Sequence, residues 1–246
     1  MTADEALGLE IYGDYGQFRK NYTTSSPLTH GFPPRTAVAG LLGAIGGLPN
    51  EGDESYQRVF SPTESEIAVV LRNPVRKQRV NKNMLKVKGE TQRLTTLREP
   101  PESIQRNQVP FELLREPRFR VYFRLNDEEQ MKRYESLLEE GKSVYTPYLG
   151  ISELIAEYDY IGRVGLKERS GTSQIDSIVN KDIHSPVFEK GKKYQRENAS
   201  MAMNNDRVVQ TFSDIMYESA GDSIRVKDAE YYEVPDTGDR ITFFLR

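Results

Sequence analysis

The chain has 246 residues, 37% hydrophobic and 29% charged, with a formal net charge of −3 at pH 7. That is enough for one large domain or two small ones with a proper core. No run of ~18 apolar residues exists to cross a membrane as a helix, and zero cysteines removes disulfides, thiolate zinc sites and cysteine nucleophiles together.

Only His30 and His184 remain as imidazoles, which excludes a histidine-rich metal site, and no cofactor is expected. The acidic start Met1-Thr2-Ala3-Asp4-Glu5 reads as neither signal nor transit peptide. Absence of cysteine fits a cytoplasmic protein. The charge is unevenly distributed. From Arg72 to Arg98 nine basic residues face one acid, Glu90, so this window carries +8 and the remainder −11. A mildly acidic chain with one basic stretch has a localised anion-binding surface. The other reading is a solvated charge run. Val80, Met84, Leu85 and Val87 interrupt the window, so it is not low-complexity.

Leu7, Leu9 and Ile11 alternate as in a half-buried strand, and a polar loop spans 22–29. Val38, Leu41, Leu42 and Ile45 have helical spacing, stopped by Gly46-Gly47 and Pro49. Ile67 to Leu71 is a short strand. In Arg118 to Leu125, Phe119, Val121, Phe123 and Leu125 point one way and Arg118, Arg120, Tyr122 and Arg124 the other. Asn126 is the expected cap of a following helix with Met131, Tyr134 and Leu138 buried and Gly141 at its end. Leu154 to Val164 is again extended.

Strand, helix, strand, strand, helix, strand is the order of a ferredoxin-like (RRM-like) βαββαβ core, an α+β class. The basic stretch is inserted between its second and third strands, at about 72–108. Beyond Gly165, Ser170 to Ser177 reads as a polar loop. Val208–Tyr217, Arg225–Val234 and Arg240–Leu245 read as strands. The expected division is 1–165 for the core and 166–246 for a smaller β-rich C-terminal lobe packed on it.

Enzymatic constellations are weak. Gly13-x-x-Gly16 and Gly43-x-x-Gly46-Gly47 lack dinucleotide-fingerprint spacing, and no phosphate-loop lysine follows either. Anion binding has better support. The helix start near Arg35-Thr36 presents free N–H groups, and Arg19, Lys20, His30 and Arg35 cluster around it in sequence. Tyr12, Tyr15, Phe18 and Tyr22 interleave with these charges and could stack on unpaired bases or simply be core.

Gly13-Asp14-Tyr15-Gly16-Gln17-Phe18-Arg19 and the run from Phe32-Pro33-Pro34-Arg35-Thr36 to Ile45 resemble the opening of the fifth CRISPR-associated (Cas) protein family. Arg72-Asn73-Pro74-Val75-Arg76, the run Val109 to Tyr122 and Tyr148-Leu149-Gly150-Ile151-Ser152 resemble its later blocks, in the right order. The resemblance implies a RAMP-superfamily subunit of a type I CRISPR surveillance complex (Cascade), most like the I-B branch, acting in antiviral defence. It implies a thumb-like insertion where the basic window falls. The implied partners are the 5′ handle of the crRNA, the backbone and large subunits, and target DNA near the PAM end, with no membrane.

The candidate RNA contacts are then Gln17, Phe18, Arg19, Lys20, His30, Arg35 and Thr36 near the first helix. Along the insertion they are Arg72, Arg76, Lys77, Arg79, Asn81, Lys82, Lys86, Lys88, Arg93 and Arg115. One branch of the family cuts precursor crRNA with a tyrosine in the first helix and a later lysine–histidine pair. Here Arg35 to Gly46 has no tyrosine and no Lys-His dipeptide occurs, so no catalytic residue is assigned. His30 with Tyr22 keeps open the alternative of a metal-independent endoribonuclease acting within the repeat.

Overall fold

The computed structural model describes residues 5–23, 26–85 and 106–245. Strand β1 (Glu5–Tyr12) is internal to a four-stranded antiparallel sheet. Leu7, Leu9 and Ile11 are fully buried on one face, as their alternation requires. Gly8 faces the other way, where a Cβ would lie 3.2 Å from the Tyr122 ring. Both faces of this sheet are therefore packed.

After the two-residue β2 (Tyr15–Gly16) and an irregular loop comes α1 (Arg35–Gly46), whose apolar stripe enters the main core. Gly47, at φ 69°, ends α1 as expected: its N–H bonds back to Ala44 and that of Leu48 to Gly43. The one-turn α2 (Tyr56–Val59) leads into β3 (Ser65–Leu71). β4 (Lys77–Leu85) and β5 (Arg106–Arg115) pair antiparallel, with Lys77 opposite Leu114 and Leu85 opposite Arg106. Next come β6 (Arg118–Leu125), α3 (Glu128–Glu139) and β7 (Glu157–Gly165). The main sheet runs β3-β6-β1-β7, every neighbour antiparallel.

The cap of α3 is Asp127, one residue later than expected. Its carboxylate accepts from the N–H groups of Glu129 at 2.9 Å and Gln130 at 3.2 Å. Asn126 instead donates its side-chain amide to the Thr63 carbonyl at 2.7 Å. A carboxylate also complements the helix dipole better than a neutral amide does.

The remaining strands are β8 (Lys167–Ile175), β9 (Val179–Asn180), β10 (Ser185–Val187), β11 (Tyr194–Met203), β12 (Val209–Glu218), β13 (Ile224–Val234) and β14 (Asp239–Ile241). The polar stretch read as a loop from Ser170 is largely strand. β8 pairs along β13, which supplies the burial through Ala229, Tyr231 and Tyr232 while most of β8 stays exposed.

This part of the chain covers the main sheet. Tyr232, Val234, Ile241 and Phe243 pack on Ala68, Val70 and Tyr122 on the face opposite α1. Ala199, Met201, Ile215, Tyr217 and Phe244 join the core on the α1 side. The edge of β3 is closed by the N–H groups of Ile178 and Phe244, each 2.9 Å from a β3 carbonyl. No helix among the described residues is long and apolar enough to cross a membrane.

Candidate nucleic-acid interface

The segment from Gln17 to His30 folds back on itself. The His30 N–H bonds to the Phe18 carbonyl at 2.8 Å, and the Lys20 N–H to that of Leu28 at 2.9 Å. It docks on β5 through the Glu112 N–H and Pro27 carbonyl, 3.0 Å apart, and on the 148–155 loop through the Gln17 N–H and Leu149 carbonyl, 2.8 Å apart. The loop needs glycine at 150: its φ is +94°, and a Cβ there would fall 1.8 Å from the Gln17 carbonyl oxygen. The start of α1, the β4–β5 root and the 148–155 loop are thereby brought together.

Two adjoining hollows of about 490 and 420 Å³ lie over α1 and share Thr36, Ala37, Tyr56, Gly150 and Arg207. One runs toward Gln17, Phe18, Arg19 and Phe111; the other runs along Gly40, Gly43 and Ala44 to Tyr145 and Tyr148. Among the described residues, no Asp or Glu lines either hollow. In a chain with 37 acids against 34 lysines and arginines, an acid-free groove carrying Arg19 and Arg207 is a local anion-attracting surface. The Gln17 side chain is buried, and its Nε2 has no hydrogen-bond partner among the described residues.

The expected contacts divide into separate groups. Gln17, Phe18, Arg19 and Thr36 line the groove. Phe18 is buried edge-on against Phe119, with centroids 6.1 Å apart. The exposed Arg19 holds the Thr23 carbonyl at 2.6 Å, and Thr36 Oγ1 is 2.7 Å from Ser200 Oγ.

Lys20, His30 and Lys77 meet elsewhere, around the buried carboxylate of Glu197. His30 Nδ1 is 2.6 Å from Oε2, while Lys20 Nζ at 3.3 Å, Lys77 Nζ at 3.6 Å and the Tyr217 hydroxyl at 2.8 Å surround Oε1. Burial alone would raise the Glu197 pKa. The His30 hydrogen bond and the Lys77, His30 and Lys20 charges outweigh it and bring it down to about 2. Burial, reinforced by the same carboxylate, pushes the Tyr217 phenol well up.

Arg35 is turned inward and is 2% exposed. Its guanidinium donates to the carbonyls of Phe60, Met201, Ser61 and Ser65 and to the Ser65 hydroxyl, at 2.7–3.1 Å. Desolvation lowers its pKa to about 10, so it stays charged. The expectation of a phosphate contact at Arg35 gives way to an internal role, because the turn after α2, β3 and β11 aim carbonyls at its guanidinium. His30, 2% exposed and committed to Glu197, is likewise away from any surface ligand.

On the β4–β5 pair, Arg79, Asn81 and Arg115 are exposed, as is Arg76 just before β4. Arg76 and Arg115 each lie 3.6 Å from Glu116, a pairing of little strength at such exposure. Lys82 sits 3.5 Å from Glu153 and 4.8 Å from the Phe111 ring centre. Lys77 also bonds the Thr29 carbonyl at 2.7 Å and pairs with Glu112 at 3.5 Å. Arg72 belongs to another cluster, near Glu10 and Asp239 on the covered sheet face. Lys86, Lys88 and Arg93 lie outside the described residues.

Residues 6–218 match the family described as CRISPR-associated protein (Cas_Cas5). The chain belongs to this family. Three solved structures are similar to this Cas_Cas5 chain. One is from a CRISPR RNA-guided surveillance complex, 12% identical, TM-score 0.53, covering 89% of this chain and 91% of that one. The second is a CRISPR protein from Archaeoglobus fulgidus, 14% identical, TM-score 0.55, covering 96% and 97%. The third is from a Type III-B Cmr-beta complex bound to cognate target RNA and AMPPnP, 9% identical, TM-score 0.52, covering 89% and 86%. At these identities the likeness is one of fold. No curated protein matches the sequence.

Sequence reasoning missed Arg207, Tyr56, Tyr145 and Ser200 as groove residues of this Cas_Cas5 protein. No local motif marks them, since Arg207 sits in the β11–β12 turn and Tyr56 in a single helical turn. Tyr148 and Phe111 did fall inside the family-like blocks, where an aromatic beside Gly150 and one on the basic insertion were available signals.

Proposed function

We propose that this Cas_Cas5-family protein is a non-catalytic subunit of a type I CRISPR surveillance complex, most like the I-B branch, and that it holds the 5′ handle of the crRNA. The observation that carries this reading is the acid-free groove over α1, with Arg19 and Arg207 on it and the cationic β4–β5 pair rooted beside it. Phosphates would run along Arg76, Arg79, Lys82 and Arg115 in sequence-independent contacts, and Lys86, Lys88 and Arg93 are proposed as further contacts from the sequence alone. Lys20, Lys77 and His30 would act behind the groove, by holding its walls.

The order β3-β6-β1-β7, with α1 after β1 and α3 after β6, supports reading residues 1–165 as a ferredoxin-like core and β4–β5 as its thumb. The strand-rich 166–246 is then the C-terminal lobe. RRM domains stack bases on an open sheet face; here Tyr232 and Phe243 cover that face, which favours the groove as the RNA path. The backbone and large subunits are the proposed protein partners, target DNA near the PAM end a further contact, and the cytoplasm the proposed location.

A binding role is favoured over cleavage because the His30 imidazole is sealed against Glu197, and general acid–base work needs a group within reach of the 2′-hydroxyl. The test is co-purification with the products of neighbouring genes, followed by sequencing of bound RNA. Repeat-derived 5′ ends at one fixed position support the proposal. Random cellular RNA, or none, would overturn it.

A further inference from the structure

The groove has two differently built ends. Near Arg19 it opens between Phe18, Phe111 and Arg19. The other end is a hollow floored by Gly40, Gly43 and Ala44 and walled by Tyr56, Tyr145 and Tyr148. Tyr145 and Tyr148 leave 58% and 45% of their surface exposed, a large apolar area to show water without a use.

All three tyrosines sit on fixed backbone. The Tyr145 N–H bonds to the Ala44 carbonyl of α1 at 2.9 Å. Tyr148 opens a tight loop in which the Leu149 N–H meets the Leu154 carbonyl at 2.7 Å. Tyr56 is pressed on Gly43, where a Cβ would lie 2.6 Å from its own. Arg207, held at φ +60° in the β11–β12 turn, faces Tyr56 electrostatically. That turn is anchored on the α2 start by Ser55 Oγ, 3.0 Å from Asn205 Oδ1.

We propose that this hollow receives one unstacked nucleobase of a single-stranded RNA, lying against the tyrosine faces, with Arg207 on the adjoining phosphate. The inference deepens the RNA-handle reading and rests on it. A nucleobase fits better than an apolar protein side chain. The rim is phenolic and cationic with no acid among the described residues, and the hollow continues into the Arg19 end, where a backbone phosphate would lie. Preformed walls would add affinity without an ordering cost, and stacking tolerates any base while the hollow's shape selects among them.

The experiment uses the full chain and a single-stranded RNA carrying the repeat-derived 5′ segment, with 2-aminopurine placed at each position in turn. Anisotropy reports binding and 2-aminopurine intensity reports stacking. One position should be strongly quenched on binding. Tyr148→Ala should abolish that quench and weaken binding roughly tenfold, with Tyr148→Phe restoring both.

Binding with no position selectively quenched, or a quench untouched by Tyr148→Ala and Tyr145→Ala, would overturn the inference and leave the handle reading intact. No binding of this RNA at all would overturn both. If the hollow seats a neighbouring subunit's side chain, Tyr148→Ala would lose that subunit on co-purification with RNA signals unchanged, and the inference falls.

Discussion

His30 Nδ1 lies 2.6 Å from Glu197 Oε2, joining the loop before α1 to a strand 167 positions later in the chain. A carboxylate can only accept, so the proton is on Nδ1 and the ring is fixed in orientation. Lys77 brings the root of β4 to the same carboxylate, and Tyr217 brings β12. One buried side chain on β11 thus ties together the loop before α1, the root of β4 and β12.

Replacing Glu197 with Ala should therefore destabilise the protein by about 3 kcal/mol, since it strands the histidine, tyrosine and lysine donors left around it. Thermal unfolding checks this. A Glu197→Ala protein melting within a degree of the parent would show that the node contributes nothing.

The same node gives a pH signature. Glu197 titrates near 2 in the folded chain, below its ordinary 4.5. Its contribution is whole above about pH 4.5 and is lost as the pH falls through about 2. The groups facing it are Lys20, Lys77, His30 and Tyr217. The gap in melting temperature between parent and Glu197→Gln should be whole at pH 5 and close toward pH 2. A gap that widens between pH 4.5 and pH 2 would contradict the assignment.

Arg35→Met should lower stability by at least ~3 kcal/mol, because the buried carbonyls of Phe60, Met201 and Ser65 each lose a charged donor. For a chain of this size that is a fall of roughly 6–12 °C. Differential scanning calorimetry would detect it, and an unchanged melting point would mean the guanidinium is not the staple described.

The main-sheet strands and both long helices were legible because their apolar residues keep a clean period of two or of 3.6. β8 was not, since Lys-Glu-Arg-Ser-Gly-Thr-Ser carries no such period and gains its order from β13. The groove was half legible. Gln17, Arg19 and Thr36 are neighbours of α1 in sequence, whereas Arg207 reaches it only through the β11–β12 turn. Arg35 and His30 were misplaced for one reason: a charged residue beside a helix start reads as a surface ligand, and only tertiary packing reveals the carbonyls and the carboxylate that turn each one inward.

Reversing three hairpin charges, Arg76→Glu, Arg79→Glu and Lys82→Glu, should weaken RNA binding sharply. It should also flatten the slope of log affinity against log salt by about two, at roughly 0.7 for each single-strand phosphate no longer neutralised. An unchanged slope would place the RNA elsewhere.

If single-stranded RNA lies in the groove over α1, anisotropy titration of a repeat-derived RNA against Arg19→Glu/Arg207→Glu across a salt series will register the loss of its phosphate contacts. Affinity for the parent protein should fall steadily with salt, and the double variant should bind roughly tenfold or more weakly at low salt while melting like the parent. Equal affinity of parent and variant at every salt concentration would contradict the account.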